Sequence, residues 1–285
     1  MIDDEDFYLM DLESKFKKIN RKDYYLSYSG GKDSHFLYWF IKEYLHDTDI
    51  EIVGVNTYME HHEILQRMKN NCDIVLLPKM KPFEIKEKYG IPCFSKSQDY
   101  FIECFQNGSK APSILARFYG TSVSWHNVSK KARKYVLNGK AHKISPKCCK
   151  YLKKEPFRSY EKVSGKKPIL GVRSSESKMR QAQYKSCFTK DKKFTPIHDL
   201  TDEMLEKIIQ KYNIEVPEVY KYISRTGCMG CPYGSYKGEC EKELALITPN
   251  QKKFVCEYFK ESYEVLGINT EVHQQTDIYD FIKED

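Results

Sequence analysis

The chain has 285 residues, of which 40% are hydrophobic and 31% charged, with a net charge of +7. That is enough for one large α/β domain, or one domain with a smaller appendage, and enough apolar surface for a buried core. The modest positive charge permits a polyanionic partner without demanding one, and no apolar run approaches the length a bilayer crossing needs.

The first residues, MIDDEDF, are acidic and carry neither a basic nor an apolar leader segment, so no secretory signal is read and a cytoplasmic location is expected. Ten cysteines in a reducing compartment are then expected to be metal ligands, reactive thiols or core packers rather than disulfides. Residues 8–20 place Leu9, Leu12, Phe16 and Ile19 at helical spacing. DYYLSY (23–28) reads as a strand and 34–45 as the helix after it. IEIVGVN (50–56) and CDIVLLP (72–78) are β-branched runs suited to buried strands, with a helical pattern around 59–70 between them. KPILGVR (167–173) is a further strand. Alternating strands and helices predict a mostly parallel sheet covered on both faces. The expected division is an N-terminal helix at 1–22, an α/β nucleotide-binding domain at 23–225 and a cysteine-bearing helical extension at 226–285.

Charge is uneven. From Cys104 to Lys154 there is no Asp or Glu, while lysines and arginines recur with Phe118, Tyr119, Trp125 and Tyr135 among them. Such a stretch is either a solvated surface or a contact for DNA or RNA, in which aromatic rings assist by stacking. The same lysines can instead serve nucleotide phosphates.

Ser29-Gly30-Gly31-Lys32-Asp33-Ser34 lies between a predicted strand and helix. Glycines there allow close backbone approach, and backbone N–H groups with the helix N-terminus favour an anion. Lys32 can neutralise phosphate charge, the hydroxyls of Ser29 and Ser34 can donate, and Asp33 can hold the loop together or help place a metal. The spacing is not that of a Walker A loop. SGGKDS is similar to the signature of the PP-loop ATP pyrophosphatases, the adenine nucleotide α-hydrolases. The resemblance implies cleavage of ATP between its α and β phosphates, often with adenylation of a substrate. It also implies a five-stranded, doubly wound sheet with the nucleotide at the carboxyl ends of the strands. The second-strand motif of that superfamily often holds Asp and Gly; here the segment reads VNTYME, with Asn56 and Thr57.

Cys148 and Cys149 are adjacent, and Cys228 and Cys231 form CMGC. Thiolates suit zinc or an iron–sulfur cluster, and the two pairs can close one four-thiolate site. CCKYLKKEPF, ILGVRSSESKMR, FTPIHDLTDEMLEKII and TGCMGC resemble, in order, segments of the adenylyl-sulfate reductase branch of the PAPS reductase family. With the glycine loop they span residues 29–231, about seven-tenths of the chain. That resemblance implies a [4Fe–4S] cluster near the nucleotide, held by Cys148, Cys149, Cys228 and Cys231, and phosphate-facing roles for Lys153 and Arg173. Cys240 follows CMGC at a spacing similar to the late cysteine triplet of DNA phosphorothioation enzymes. It is a substitute ligand, a sulfur-carrying thiol or a plain free cysteine, and Cys187 is open in the same way. Cys72, Cys93, Cys104 and Cys256 are expected to pack in apolar surroundings.

Assimilatory sulfate reductases carry a degenerate glycine loop and a catalytic cysteine in a C-terminal tail. Here SGGKDS is intact and no cysteine follows Cys256. The expectation is therefore an ATP α-hydrolase, with magnesium on the triphosphate, Lys32, Asp33 and Arg173 as catalytic residues, and sulfur transfer to a nucleic-acid acceptor. Two alternatives stand beside it. One is a PAPS or APS reductase that releases sulfite and uses a thioredoxin-like reductant. The other is a non-catalytic nucleotide- or nucleic-acid-binding module.

Overall fold

Residues 3–123, 127–176, 178–224 and 226–271 are described by a computed structural model of the chain. Trp125 and the acidic end of the chain beyond residue 271 lie outside them. The chain folds as two units, each assembled from separate stretches of sequence. The first comprises 1–56, 62–78 and 154–220; the second 57–61, 79–153 and 221–285. This differs from the division expected from sequence. The N-terminal helix belongs to the first unit, and the basic segment up to residue 153 groups with the C-terminal region instead of with the sheet.

The first unit is built on four parallel strands: β1 (Tyr24–Tyr28), β2 (Glu51–Val55), β3 (Ile74–Leu76) and β4 (Lys167–Leu170), in the order β3-β2-β1-β4. Central β1 pairs on both sides, with Leu26 opposite Ile52 and Ile169. Both its edges are therefore paired, and its Tyr25, Leu26 and Tyr28 are buried, which its apolar content suits. The expected fifth strand is reduced to a single bridge: Phe194 pairs with Ile169, its N–H donating to Pro168 O at 3.0 Å and its carbonyl accepting from Leu170 N at 2.8 Å. Its flanks, KDKK and TPIH, hold a proline and charged residues that do not sustain a buried ladder.

Leu9, Leu12 and Phe16 of helix Asp4–Phe16 are fully buried with Phe36, Phe40, Ile52, Ile169 and Phe194 in one core. Ile19, past the end of that helix, packs at its margin. The helix after β1 begins at Lys32, runs to Trp39 and continues as a π-helical turn over Phe40–Tyr44.

The second unit is helical. Among its described residues the nearest thing to a strand is one parallel bridge between Ile91 and Ile144. One apolar cluster gathers Met59, Ile85, Leu152, Leu244, Val255 and Tyr258 with Cys148, Met229 and Cys240. Another gathers Cys93, Ile102, Phe118, Val128 and Ala132. Among the described residues no helix is long and apolar enough to cross a membrane.

Candidate nucleotide loop and cysteine site

In the first unit, the strand order places β2 on one side of β1 and β4 on the other. The strand order therefore switches sides between β1 and β4, and the carboxyl ends of those strands are the position where open α/β sheets leave a crevice for ligands. The glycine loop leaves β1 there. Gly30 adopts φ +74°, and a Cβ on it would meet Ile64 Cγ2 at 2.8 Å, so only glycine fits. Gly31 caps the helix Lys32–Trp39 in extended backbone. The two serines tie the turn: Ser29 N–H donates to Ser34 Oγ at 3.2 Å, the hydroxyls lie 2.9 Å apart, and Ser34 Oγ donates to Gly31 O at 3.0 Å. These hydroxyls thus shape the loop.

Arg173 arrives from the end of β4. Its side chain is 5% exposed, its Nε donates to Asp33 Oδ1 at 2.9 Å, and its Nη1 donates to Asp202 Oδ1 at 2.6 Å and to Ser175 Oγ at 3.4 Å. Asp33 is thereby tied to Arg173, a contact that links the loop to the chain leaving β4. Burial pushes the Asp33 carboxyl above its usual range, against the pull of Arg173. The close approach of the two strand ends depends on Gly171, where a Cβ would lie 3.0 Å from Ser34 N and 3.1 Å from Asp33 C and O. Lys32 is held loosely, its Nζ 3.9 Å from Glu206 Oε1. Its backbone N–H donates to Tyr220 Oη at 3.1 Å, using a donor that a helix start leaves free for an anion. Ser175 and Asp202 lie in segments quoted above without having been singled out, Tyr220 lies in none, and only the folded chain brings the three to the loop.

In the second unit, Cys148, Cys149, Cys228 and Cys231 lie within electrostatic reach of one another. The Cys148 thiol is pushed up by its hydrogen bond to Cys149, by burial and by the nearness of Cys149, Cys231 and Cys228. Burial raises Cys228 and Cys231 as well. Lys153 stands beside this group: Cys228 first, then Glu60, Cys149 and Cys231, raise its ammonium above the usual lysine range against the effect of burial. Among the described residues, no three His, Cys, Asp or Glu side chains are gathered tightly enough to hold one metal ion. A single tetrahedral zinc needs its sulfurs about 2.3 Å from one point. By their donor chemistry, thiols grouped in this way with a lysine beside them suit zinc or an iron–sulfur cluster.

The CMGC turn is anchored from all sides. Met229 N–H donates to Met59 O at 2.7 Å, and Gly230 N–H donates to Glu243 Oε2 at 2.8 Å. Glu243 Oε1 lies 2.7 Å from His61 Nε2, both side chains being buried. Gly230 O accepts from Tyr263 Oη and, at 3.5 Å, from the Cys240 thiol. Cys240 is thus a buried donor supporting the turn, and burial pushes its thiol up to about 12. Cys187 packs at the margin of the first unit's core, with Cys72. Cys93 is fully buried and Cys256 half-buried, while Cys104 is half-buried too. Asp99, wholly buried, accepts from Cys93 N, Phe94 N and Tyr233 Oη at 2.7, 3.0 and 2.8 Å.

The basic segment forms helices Pro112–Tyr119 and Lys130–Leu137, the latter capped by Ser129. Lys110, Lys130, Lys131, Lys134 and Lys140 are exposed. Of the interleaved aromatics, Tyr119 faces solvent, Tyr135 bonds His142 Nδ1 at 2.9 Å, and Phe118 is a core residue stacked on Phe105. Phe118 is therefore not a surface stacking platform.

Residues 113–233 match the family model described as the phosphoadenosine phosphosulfate reductase domain. The match takes in all four cysteines and Arg173, and the glycine loop lies outside it. A search of curated proteins gives no match. Among solved structures, a phosphoadenylyl-sulfate (PAPS) reductase from Candida auris, in a phosphate complex, is similar over 75% of this chain and 83% of its own, at 11% identity and a TM-score of 0.41. An NH3-dependent NAD synthetase from Campylobacter jejuni is similar over 94% and 96%, at 14% identity and a TM-score of 0.36. The expected likeness to the PAPS reductase family thus reappears, on the segment that carries the cysteine motifs.

Proposed function

We propose that the chain is an adenine-nucleotide enzyme of the PP-loop type that cleaves ATP at the α phosphate and transfers sulfur to a nucleic-acid acceptor. The observation that carries this reading is the glycine loop at the β1/β4 crevice, fixed by the Asp33–Arg173–Asp202 chain. An acceptor oxygen attacks the α-phosphorus, the bond to the bridging oxygen breaks, and pyrophosphate leaves with the bonding electron pair; magnesium, when bound to the triphosphate, would supply charge neutralisation. A sulfur nucleophile then attacks the activated atom of the acceptor, and AMP leaves with the bonding electron pair. Such a reaction depends on positioning and charge stabilisation more than on a covalent enzyme nucleophile. Lys32 is the phosphate-facing cation, while Asp33 and Arg173 act as positioning residues. Cys148, Cys149, Cys228 and Cys231 hold a [4Fe–4S] cluster, with Lys153 offsetting the thiolate charge. Such a cluster, when bound, supplies electrons or an iron that holds sulfur. Exposed lysines of 110–140 contact the DNA or RNA backbone.

Incubation with ATP and with APS separately tests this. Pyrophosphate release from ATP, increased by a DNA or RNA acceptor, is the expected result. Sulfite release from APS without pyrophosphate release from ATP overturns it in favour of a sulfonucleotide reductase, the reading that the match over 113–233 favours. In that second reading Cys240 is a poor candidate for the reacting thiol, because it is buried and its thiolate disfavoured.

A further inference from the structure

The first unit contains a cavity of about 520 Å3 that the glycine loop does not line. It opens between helix Lys32–Trp39 and helix His62–Asn71, closed by Asn213, Ile214 and Glu215. Its volume falls in the range of small-molecule sites. Part of the lining is aromatic: Tyr38 stacks on His35 with ring centroids 5.5 Å apart and planes at 15°, and Trp39, whose ring packs on Phe36 and Tyr212, also lines the cavity.

His35 is 8% exposed and lines this cavity. Asn71 Nδ2 donates to Tyr28 Oη at 2.9 Å, and that hydroxyl lies 2.9 Å from His35 Nδ1; buried Tyr28 has its proton satisfied in the tautomer where it donates to Nδ1. That assigns the remaining imidazole proton to Nε2, which has no hydrogen-bond partner among the described residues. Burial lowers the pKa of this imidazole to about 4, so it is a neutral donor at ordinary pH. A neutral donor on a cavity wall offers a hydrogen bond to an acceptor atom of a ligand.

The charges around the cavity restrict that ligand. Arg67 is committed to Glu215, with Nη2 2.8 Å from Oε1 and Nη1 donating to the backbone oxygen at 3.3 Å. Glu63 accepts the backbone N–H groups of Glu218 and Val219 at 2.7 and 3.3 Å. Glu43 adds another carboxylate. With its arginine neutralised and carboxylates in excess, the lining disfavours a phosphate. Stacking rings, a neutral donor and the amides of Gln66, Asn70 and Asn213 instead complement a flat, uncharged heterocycle with donors and acceptors on its edge.

We infer that this cavity binds a nucleobase, stacked against the Tyr38–Trp39 lining with a ring nitrogen or carbonyl accepting from His35 Nε2. The base belongs either to a free nucleoside or to a single strand, and the same chemistry serves both.

Ligand-observed NMR on the full chain tests it, with adenosine, guanosine, cytidine and uridine in one arm and a short single-stranded oligonucleotide in the other. At least one probe is expected to bind with Kd below about 1 mM. His35→Phe keeps the ring but removes the donor, and Asn70→Ala alters an exposed lining side chain without touching the core. Each is expected to weaken binding about tenfold, equivalent to one lost hydrogen bond. Binding in the nucleoside arm identifies a free ligand, and binding only in the oligonucleotide arm identifies a strand. No binding in either arm, or binding that survives both substitutions unchanged, overturns the assignment.

Discussion

In the sheet unit, one chain of opposite charges, Asp33–Arg173–Asp202, fixes the ligand loop. In the helical unit, turns are held by buried carboxylates that accept backbone N–H groups: Glu60 takes Thr57 N at 2.9 Å, Asp99 takes Cys93 N and Phe94 N, and Glu243 takes Gly230 N. The loops of the sheet unit use the same device, Asp47 accepting Asp49 N and Ile50 N at 2.8 and 3.2 Å. The charge chain between strand ends is what that unit adds, and the addition follows from the scaffold. Parallel strands already satisfy their backbone groups and present rigid ends, so one ion-pair chain joins two of them. Loops packed among helices have no ladder to satisfy their N–H groups, so each buried turn needs its own acceptor.

The strongest challenge to this contrast is Arg173→Met, which leaves Asp33 without its cation. A loss of roughly 3–5 kcal/mol is expected from denaturant unfolding, together with loss of pyrophosphate release. An unchanged midpoint with intact turnover would mean that the charge chain does not brace the loop.

Acid sharpens the contrast next. The folded pKa of His35, about 4, lies below its unfolded value of 6.5. The folded state therefore binds fewer protons between those values. Stability from neutral His35 is fully present above about pH 6.5 and is lost as pH falls through 4, a change on the order of 3 kcal/mol. Wild type should accordingly lose more stability than His35→Phe between pH 7 and 4, as read by hydrogen exchange in first-unit peptides. Equal losses would place the imidazole outside the folding linkage. Asp99 acts with the opposite sign in the other unit. Burial raises it to about 6, so its stabilising protonated form is lost as pH climbs from about 4 through 6.

Glu243→Ala strips the acceptor from Gly230 N–H and the partner from His61. It should cost about 1–3 kcal/mol and lower the iron and sulfide content of anaerobically purified protein. Full iron retention would show that the turn holds without its carboxylate. Gly171→Ala presses a methyl against the Asp33 and Ser34 backbone, and pyrophosphate release should fall about tenfold with a stability cost near 1 kcal/mol. The smallest effect belongs to Lys130→Glu with Lys134→Glu, both exposed. Unfolding should move by no more than about 0.5 kcal/mol, while the salt dependence of DNA or RNA binding becomes shallower by about one unit per lost phosphate contact. An unaltered salt slope would remove this helix from the nucleic-acid surface.

The strands were legible because each is a short β-branched or aromatic run bounded by turn residues, and the loop because Gly30 and Gly31 stand between such a run and an amphipathic helix. The cysteine pairs stood out by adjacency and spacing, and the folded chain brings Cys148, Cys149, Cys228 and Cys231 near one another. What was not legible depends on distance along the chain. Asp99 and Glu243 look like ordinary helix-surface acids until folding buries them against N–H groups. Phe118 sits among lysines and reads as a surface ring, although its neighbours Phe105 and Ile102 draw it inward. The fifth strand failed because Phe194 alone keeps the ladder, and the domain boundaries failed because each unit recruits separate stretches of chain.

The pairing of β1 with β4 has a consequence for how the protein is made. Tyr28 and Lys167 belong to neighbouring strands, yet synthesis must lay down everything between them before they can meet. A nascent chain can assemble β1, β2 and β3 early, but such long-range closure is slow and late. Until the arginine and then Asp202 emerge from the ribosome, the glycine turn lacks its clasp. A chain that stops short of residue 202 therefore carries the glycine turn without the charge pairs that brace it.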